Sequence, residues 1–209
     1  LWNREGHVLK EGDTLVGRMP GKEIRAFGTA APVEEPYIAA QTPYLAMTLD
    51  GPVGVSTGRP RALAEIQDLI SRRRAEREAF VQRFGELAEV YAPVQTCLAW
   101  DTVYDPKHDR VVSPVSRMWN VGSGGYILFE WDNYFAGLMA AIDNKELAYA
   151  NVIEMTREIT EDGMVPNFAR PTGLKSRDRS EPPVGCLVAR ELYRRYGERW
   201  FLEEIFDDL

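Results

Sequence analysis

Five prolines fall within the first 58 residues, at Pro20, Pro32, Pro36, Pro43 and Pro52. Proline lacks an amide donor and collides with the preceding helical turn, so no long helix fits between them. The intervening stretches read HVLKEG, DTLVGR, EIRAFGT and YLAMTLDGPVGVS. Each is a short β-like run broken by glycine or proline, as in the hairpins of a small sheet. Composition then changes sharply at Arg59-Pro60. From Arg61 to Ala92, the residues Leu63, Ile66, Ile70, Phe80, Phe84 and Leu87 recur mostly at three- and four-residue steps, the period of a helix with one buried face. The chain therefore divides into a β-rich segment over residues 1–58 and a helical part over residues 59–209.

Within the helical part, SRRRAERE reads as a solvated face held by i,i+4 pairs rather than as an anion site. A short helix is expected over Pro93–Trp100, then a long loop with DPKHDR and a glycine turn at Gly122–Gly125. Helices resume over Trp131–Ile142 and Lys145–Glu161. Their joint, Asp143-Asn144, is too short for anything but an antiparallel neighbour. A second long loop, Gly163–Ser180, carries GMVPNF and KSRDRS. Proline is favoured in a first helical turn, so the next helix starts at Pro182 or Pro183 and runs to Tyr196. A last helix takes Arg199–Leu209. Short turns then lie at one end of the stack and long polar loops at the other. That is the build of an α/α toroid, with its pocket at the long-loop end. The sequence opens on Leu1 and closes inside the helical run FLEEIFDDL with no C-cap glycine, and it reads as a piece of a longer protein.

A net charge of −7 argues against a nucleic-acid partner. With 44% apolar and 27% charged residues the composition is that of a soluble globular protein. No apolar run reaches membrane-spanning length, so no membrane partner is expected. The two cysteines, Cys97 and Cys186, read as buried free thiols in a reducing, cytoplasmic compartment. His7 and His108 stand in no metal-ligand spacing, which leaves neither a zinc site nor a Ser-His-Asp triad. No metal and no cofactor is implied.

The chemistry concentrates in Ser113–Phe135, SPVSRMWNVGSGGYILFEWDNYF. Tryptophan faces complement the apolar C–H face of a pyranose. A carboxylic acid among aromatics is held out of water, which disfavours its charged form and keeps a proton available for a leaving group. Asp132, between Trp131 and Tyr134, is placed for that role. Two plainer readings stand beside it: an aromatic-rich turn entering a helix is often simply core, and a carboxylate at a helix start is often an N-cap. Trp131 is the better stacking wall, Tyr134 the poorer, and Phe129 and Phe135 are core. Arg117 and Asn120 offer fork-like donors for sugar hydroxyls and Trp119 a face, with a loop-anchoring salt bridge as the alternative for Arg117. On the second long loop, Asn167, Asp178 and Arg179 fall on the same expected rim and could equally tie loop to loop. Glu181, beside Pro182, reads equally well as a charge at a helix N-terminus.

SPVSRMWN (113–120), GGYILFEWDNYFAGLMA (124–140), NKELAYANVIEMTREIT (144–160), GMVPNF (163–168) and DRSEPPVG (178–185) together resemble the catalytic domain of glycoside hydrolase family 63, in the family's order and over roughly residues 61–209. That family holds processing α-glucosidases and mannosylglycerate- and glucosylglycerate-type hydrolases. The resemblance implies a mainly α fold, part of an (α/α)6 toroid of antiparallel helix hairpins, preceded by the tail of an N-terminal β domain. It implies an inverting mechanism with two carboxyl groups about 6.5–9.5 Å apart. The family's general acid is the aspartate of the Trp-Asp motif, here Asp132. Its general base is a glutamate far downstream, beyond Leu209, so this chain alone is expected to be nearly inactive. By the same resemblance LAWDTVYD fronts the pocket, adding Trp100 as a second wall and Asp101 and Tyr104 as hydroxyl contacts. The expected partner is a small carbohydrate or glycoside. Two other readings remain: a catalytically incompetent carbohydrate-binding fragment, and a glycosidase of the related trehalase type. A bare helical scaffold for protein contacts fits less well, because it needs neither polar nor aromatic long loops.

Overall fold

The computed structural model describes residues 6–35, 43–119 and 125–209. The chain forms two compact units, Asn3–Ala88 and Glu89–Leu209.

In the first unit, strands β1 (His7–Glu11), β2 (Thr14–Met19), β3 (Lys22–Gly28) and β4 (Val55–Thr57) form an antiparallel sheet in sequence order. Val16 pairs with Leu9 on one side and Arg25 on the other, and is fully buried. Helix α1 (Leu63–Gln82) follows, with Ile66 as its one buried residue. It ends where a 3-10 turn, Gly85–Leu87, takes over, and Gly85 has a left-handed φ of 54° that costs other residues strain.

The second unit starts with α2 (Ala88–Asp101), which carries Pro93 inside it rather than at its start. At that depth proline forfeits only the bond to the Glu89 carbonyl, so it does not end the helix. A hairpin of β5 (Val103–Asp105) and β6 (Arg110–Val112) leads to β7 (Leu128–Phe129), α3 (Glu130–Ala140) and α4 (Lys145–Thr156). After β8 (Phe168–Ala169) come α5 (Gly185–Tyr196) and α6 (Arg199–Ile205). The α3–α4 joint behaves as its length demands: Asn144 caps α4 by accepting from the Leu147 amide at 3.0 Å, and the two helices lie in close contact. Gly137 makes that approach possible, since a Cβ there would stand 2.8 Å from Val152 Cγ2 and 3.1 Å from the Ala148 carbonyl. The core gathers Leu128, Tyr134, Val152, Met155, Leu192 and Phe201, all with no exposure.

The hairpin is locked from inside. The buried Arg110 guanidinium bonds Glu158 at 2.7 Å and the Tyr126 hydroxyl at 2.9 and 3.1 Å. The Tyr126 hydroxyl donates in turn to Asp105, which also meets His108 Nδ1 at 2.7 Å. Burial pushes the Asp105 carboxyl up, but the hydrogen bonds from Tyr126 and His108 outweigh it and hold the group below its ordinary range.

Three expectations are corrected. Among the described residues the fold is mixed α/β, with 41% in helix, 18% in strand and an N-terminal four-stranded antiparallel sheet, and no (α/α)6 toroid is formed. A toroid needs repeated hairpins, each giving one inner and one outer helix. Here α4 packs against α3, α5 and α6 together, so among the described residues the helices close on a shared core instead of opening into a ring. The helix expected from Pro182 or Pro183 starts at Gly185. Cys97 and Cys186 are free but exposed, not buried. Among the described residues no helix is long and apolar enough to cross a membrane. Between α5 and α6 runs an apolar groove of about 500 Å³ lined by Cys186, Tyr193, Leu202, Ile205, Phe206 and Leu209.

Candidate functional site

Of the expected site residues, Trp119, Trp131, Asp132 and Asn167 lie at or beside the start of α3. Phe129 in β7 lies opposite Phe168 in β8, and the Glu130 amide donates to the Asn167 carbonyl at 3.2 Å. This pairing draws the second long loop onto the entry of α3. The Asn167 amide reaches the Arg179 carbonyl at 3.2 Å, and the Ser176 hydroxyl accepts from the Phe168 amide at 3.2 Å. A turn from the other direction arrives with Trp119, whose ring meets Phe129 edge-on at 5.0 Å. Trp119 and Trp131 stay exposed, at 51% and 39%, which leaves aromatic surface available for a ligand.

Asp132 is the third residue of α3, and Phe129 occupies the N-cap position. The aspartate is therefore not the cap. Burial raises its carboxyl above the ordinary range, while bonds from the Trp131 side chain and its own amide pull the other way. Two further acids stand beside it. Glu181 accepts the Trp131 amide at 3.1 Å, and its carboxyl is also raised, chiefly by burial, against the hydrogen bond from that amide. Glu130 has no exposure, and its carboxyl lies near the Val184 backbone amide without a hydrogen bond of good geometry to either oxygen. Burial, then the charge of Glu181, pushes its carboxyl up to about 7.

The remaining expected residues are distributed less tightly. Arg117 donates to the Trp100 carbonyl and lays its guanidinium 4.6 Å from the centre of the Trp100 ring. It anchors the turn to the end of α2 through that ring rather than through a salt bridge. Trp100 itself is 68% exposed, and Asp101 closes α2 half-buried. Tyr104 is drawn into the hairpin, where its hydroxyl donates to Asp109 at 2.6 Å. Asp178 and Arg179 pair with each other on the surface. Asn120 lies outside the described residues.

Sequence reasoning passed over Glu130 and left Glu181 with the wrong helix. The signal for Glu130 was present: it sits between Phe129 and Trp131, in the same aromatic run that made Asp132 a candidate. Glu181 was legible only as an end charge of the helix that follows it, whereas it serves the N-terminus of α3, 50 residues away in sequence.

Chemically, the cluster sets a carboxyl raised by burial, with two further acids beside it, at a helix start that also presents exposed indoles at Trp119 and Trp131. Among the described residues no group of three or more His, Cys, Asp or Glu could hold a metal ion. Comparison with family models, curated proteins and solved structures gives no match.

Proposed function

We propose that this chain carries the proton-donating part of an inverting α-glycoside hydrolase of the α-glucosidase or mannosyl/glucosylglycerate hydrolase type, with Asp132 as general acid. The observation that supports it is the Asp132 carboxyl, raised by burial at the start of α3 and flanked by the exposed Trp131. Raising the carboxyl shifts Asp132 toward the protonated form that can deliver a proton to a departing glycosidic oxygen. Trp131 and Trp119 supply faces for the sugar ring, and Asn167 a hydroxyl contact. Glu181 is engaged with the α3 amide, so the water-activating base in this proposal stays with the downstream glutamate that the resemblance implies.

The test is hydrolysis of α-glucosyl and α-mannosyl glycerates by the full-length protein and its Asp132→Asn variant. An amide keeps the shape but cannot donate the acidic proton, so turnover should fall about 10²–10⁴-fold. With α-glucosyl fluoride, whose leaving group needs no proton, the loss should be far smaller. Near-normal turnover of the glycerates by the variant removes Asp132 from this role. The stacked Trp100–Arg117 pair favours one second reading, carbohydrate binding without turnover. Methyl α-glucoside bound equally by wild type and variant, with no hydrolysis by either, selects it.

A further inference from the structure

A buried amide lies behind the candidate site and joins the 113–119 turn to α3. Asn151 on α4 has no exposure, nor has Asn133 on α3, and Ser113 is 4% exposed. Asn151 Oδ1 accepts from the Ser113 amide at 2.7 Å and from Asn133 Nδ2 at 3.4 Å. Its Nδ2 donates to Ser113 Oγ at 3.2 Å and to the Leu147 carbonyl at 3.0 Å. Ser113 Oγ continues to Thr102 Oγ1 at 2.8 Å, the residue that follows α2. One side chain thus joins the end of α2 near Trp100, the turn bearing Arg117 and Trp119, and the helix bearing Asp132. The amide uses both donors and accepts twice, which fixes its orientation. An apolar side chain of the same volume would fill the space but leave the Ser113 amide buried without an acceptor.

We infer that Asn151 is a positioning residue that sets the Ser113–Trp119 turn against α3 and so aligns the aromatic faces with Asp132. Its bearing on sugar binding rests on the glycosidase reading above; its hold on the turn does not. Asn151 is buried behind the turn and acts through Ser113 and Asn133 rather than on a ligand.

The experiment uses the full chain with Asn151→Leu, Asn151→Asp and a packing control, Val152→Ala, a neighbour on α4 with no exposure and no role in the network. Aspartate keeps the acceptor for the Ser113 amide and exchanges the two amide donors for a carboxyl, whose protonated form, favoured by burial, retains one O–H donor. The first readout is exchange of the Ser113 amide relative to the Tyr134 amide in the core. The second is methyl α-glucoside binding by tryptophan fluorescence. Asn151→Leu should raise the Ser113/Tyr134 exchange ratio and weaken binding, each about tenfold or more. Asn151→Asp should restore most of both, and Val152→Ala should move neither despite lowering stability. If Asn151→Leu does not fold, Asn151→Ala, which also lacks the acceptor, makes the same comparison. An unchanged exchange ratio in the variant that lacks the acceptor, or equal loss in Val152→Ala, overturns the inference. Absence of sugar binding by the wild type overturns the glycosidase reading, and the exchange ratio still decides the role of Asn151.

Discussion

Glu130 is the side chain furthest from the conditions its chemistry prefers. Burying an ionised carboxylate is costly, so the fold favours the protonated form of Glu130. Its carboxyl is pushed up to about 7 from an ordinary 4.5, first by burial and then by the charge of Glu181. The folded state therefore binds a proton more tightly than the unfolded chain. The stabilisation this proton provides is complete below pH 4.5 and is lost as pH rises to about 7, a span of about 3 kcal/mol. Glu130→Gln keeps the shape without the charge. In urea denaturation it should match the wild type near pH 5 and exceed it by up to about 3 kcal/mol at pH 8. Parallel stability curves for the two proteins would show that Glu130 titrates normally. The residue scale is also where sequence reading falls short. Asp132 could be singled out because its aromatic neighbours are adjacent in the chain. Glu181 meets α3 only through loop geometry that no local pattern encodes, and the burial of Glu130 depends on how Val184 and α5 close over it.

At the scale of elements, the α3–α4 hairpin is the best-determined part of the second unit. The short joint, the Asn144 cap and the close approach at Gly137 all require the same antiparallel contact. Gly137→Ala would place a methyl group 2.8 Å from Val152 Cγ2, with the Ala148 carbonyl 3.1 Å away and unable to yield independently of its helix. The helix propensity gained is outweighed by overpacking, and the variant should lose about 1–3 kcal/mol in thermal or urea denaturation. Pairing it with Val152→Ala should recover part of that loss, because one of the two colliding groups is removed. Equal or greater stability of Gly137→Ala alone would mean that the helices separate more freely than their packing implies. Helix existence was readable from period and turn chemistry, while ends were not. Pro93 falls inside α2 because one lost bond is tolerable there. The Pro182-Pro183 pair lies ahead of α5, with Val184 as the N-cap and the helix beginning at Gly185.

For the whole molecule, proline spacing marks where helix can begin, at Arg59-Pro60, but the compact units divide after Ala88, so α1 belongs to the same unit as the sheet. The ring expected from the helix order does not form among the described residues, and the sequence could not show this, because closure depends on which helix meets which across long loops. The contacts of α4 with three helices are non-local and leave no period in the sequence. The apolar groove between α5 and α6 has a practical consequence. Phe206 is 77% exposed and Leu209 38%, beside a cleft large enough for an aromatic dye. Anilinonaphthalene sulfonate should therefore fluoresce strongly with the folded protein. Phe206→Ser should dim that signal while shifting stability by no more than about 0.5 kcal/mol, since the ring is mostly in solvent. A weak native signal would mean that the groove is closed in solution. A dye-based melting screen of this protein would begin from a bright baseline and understate its transition, so stabilising ligands should be sought by intrinsic fluorescence or circular dichroism.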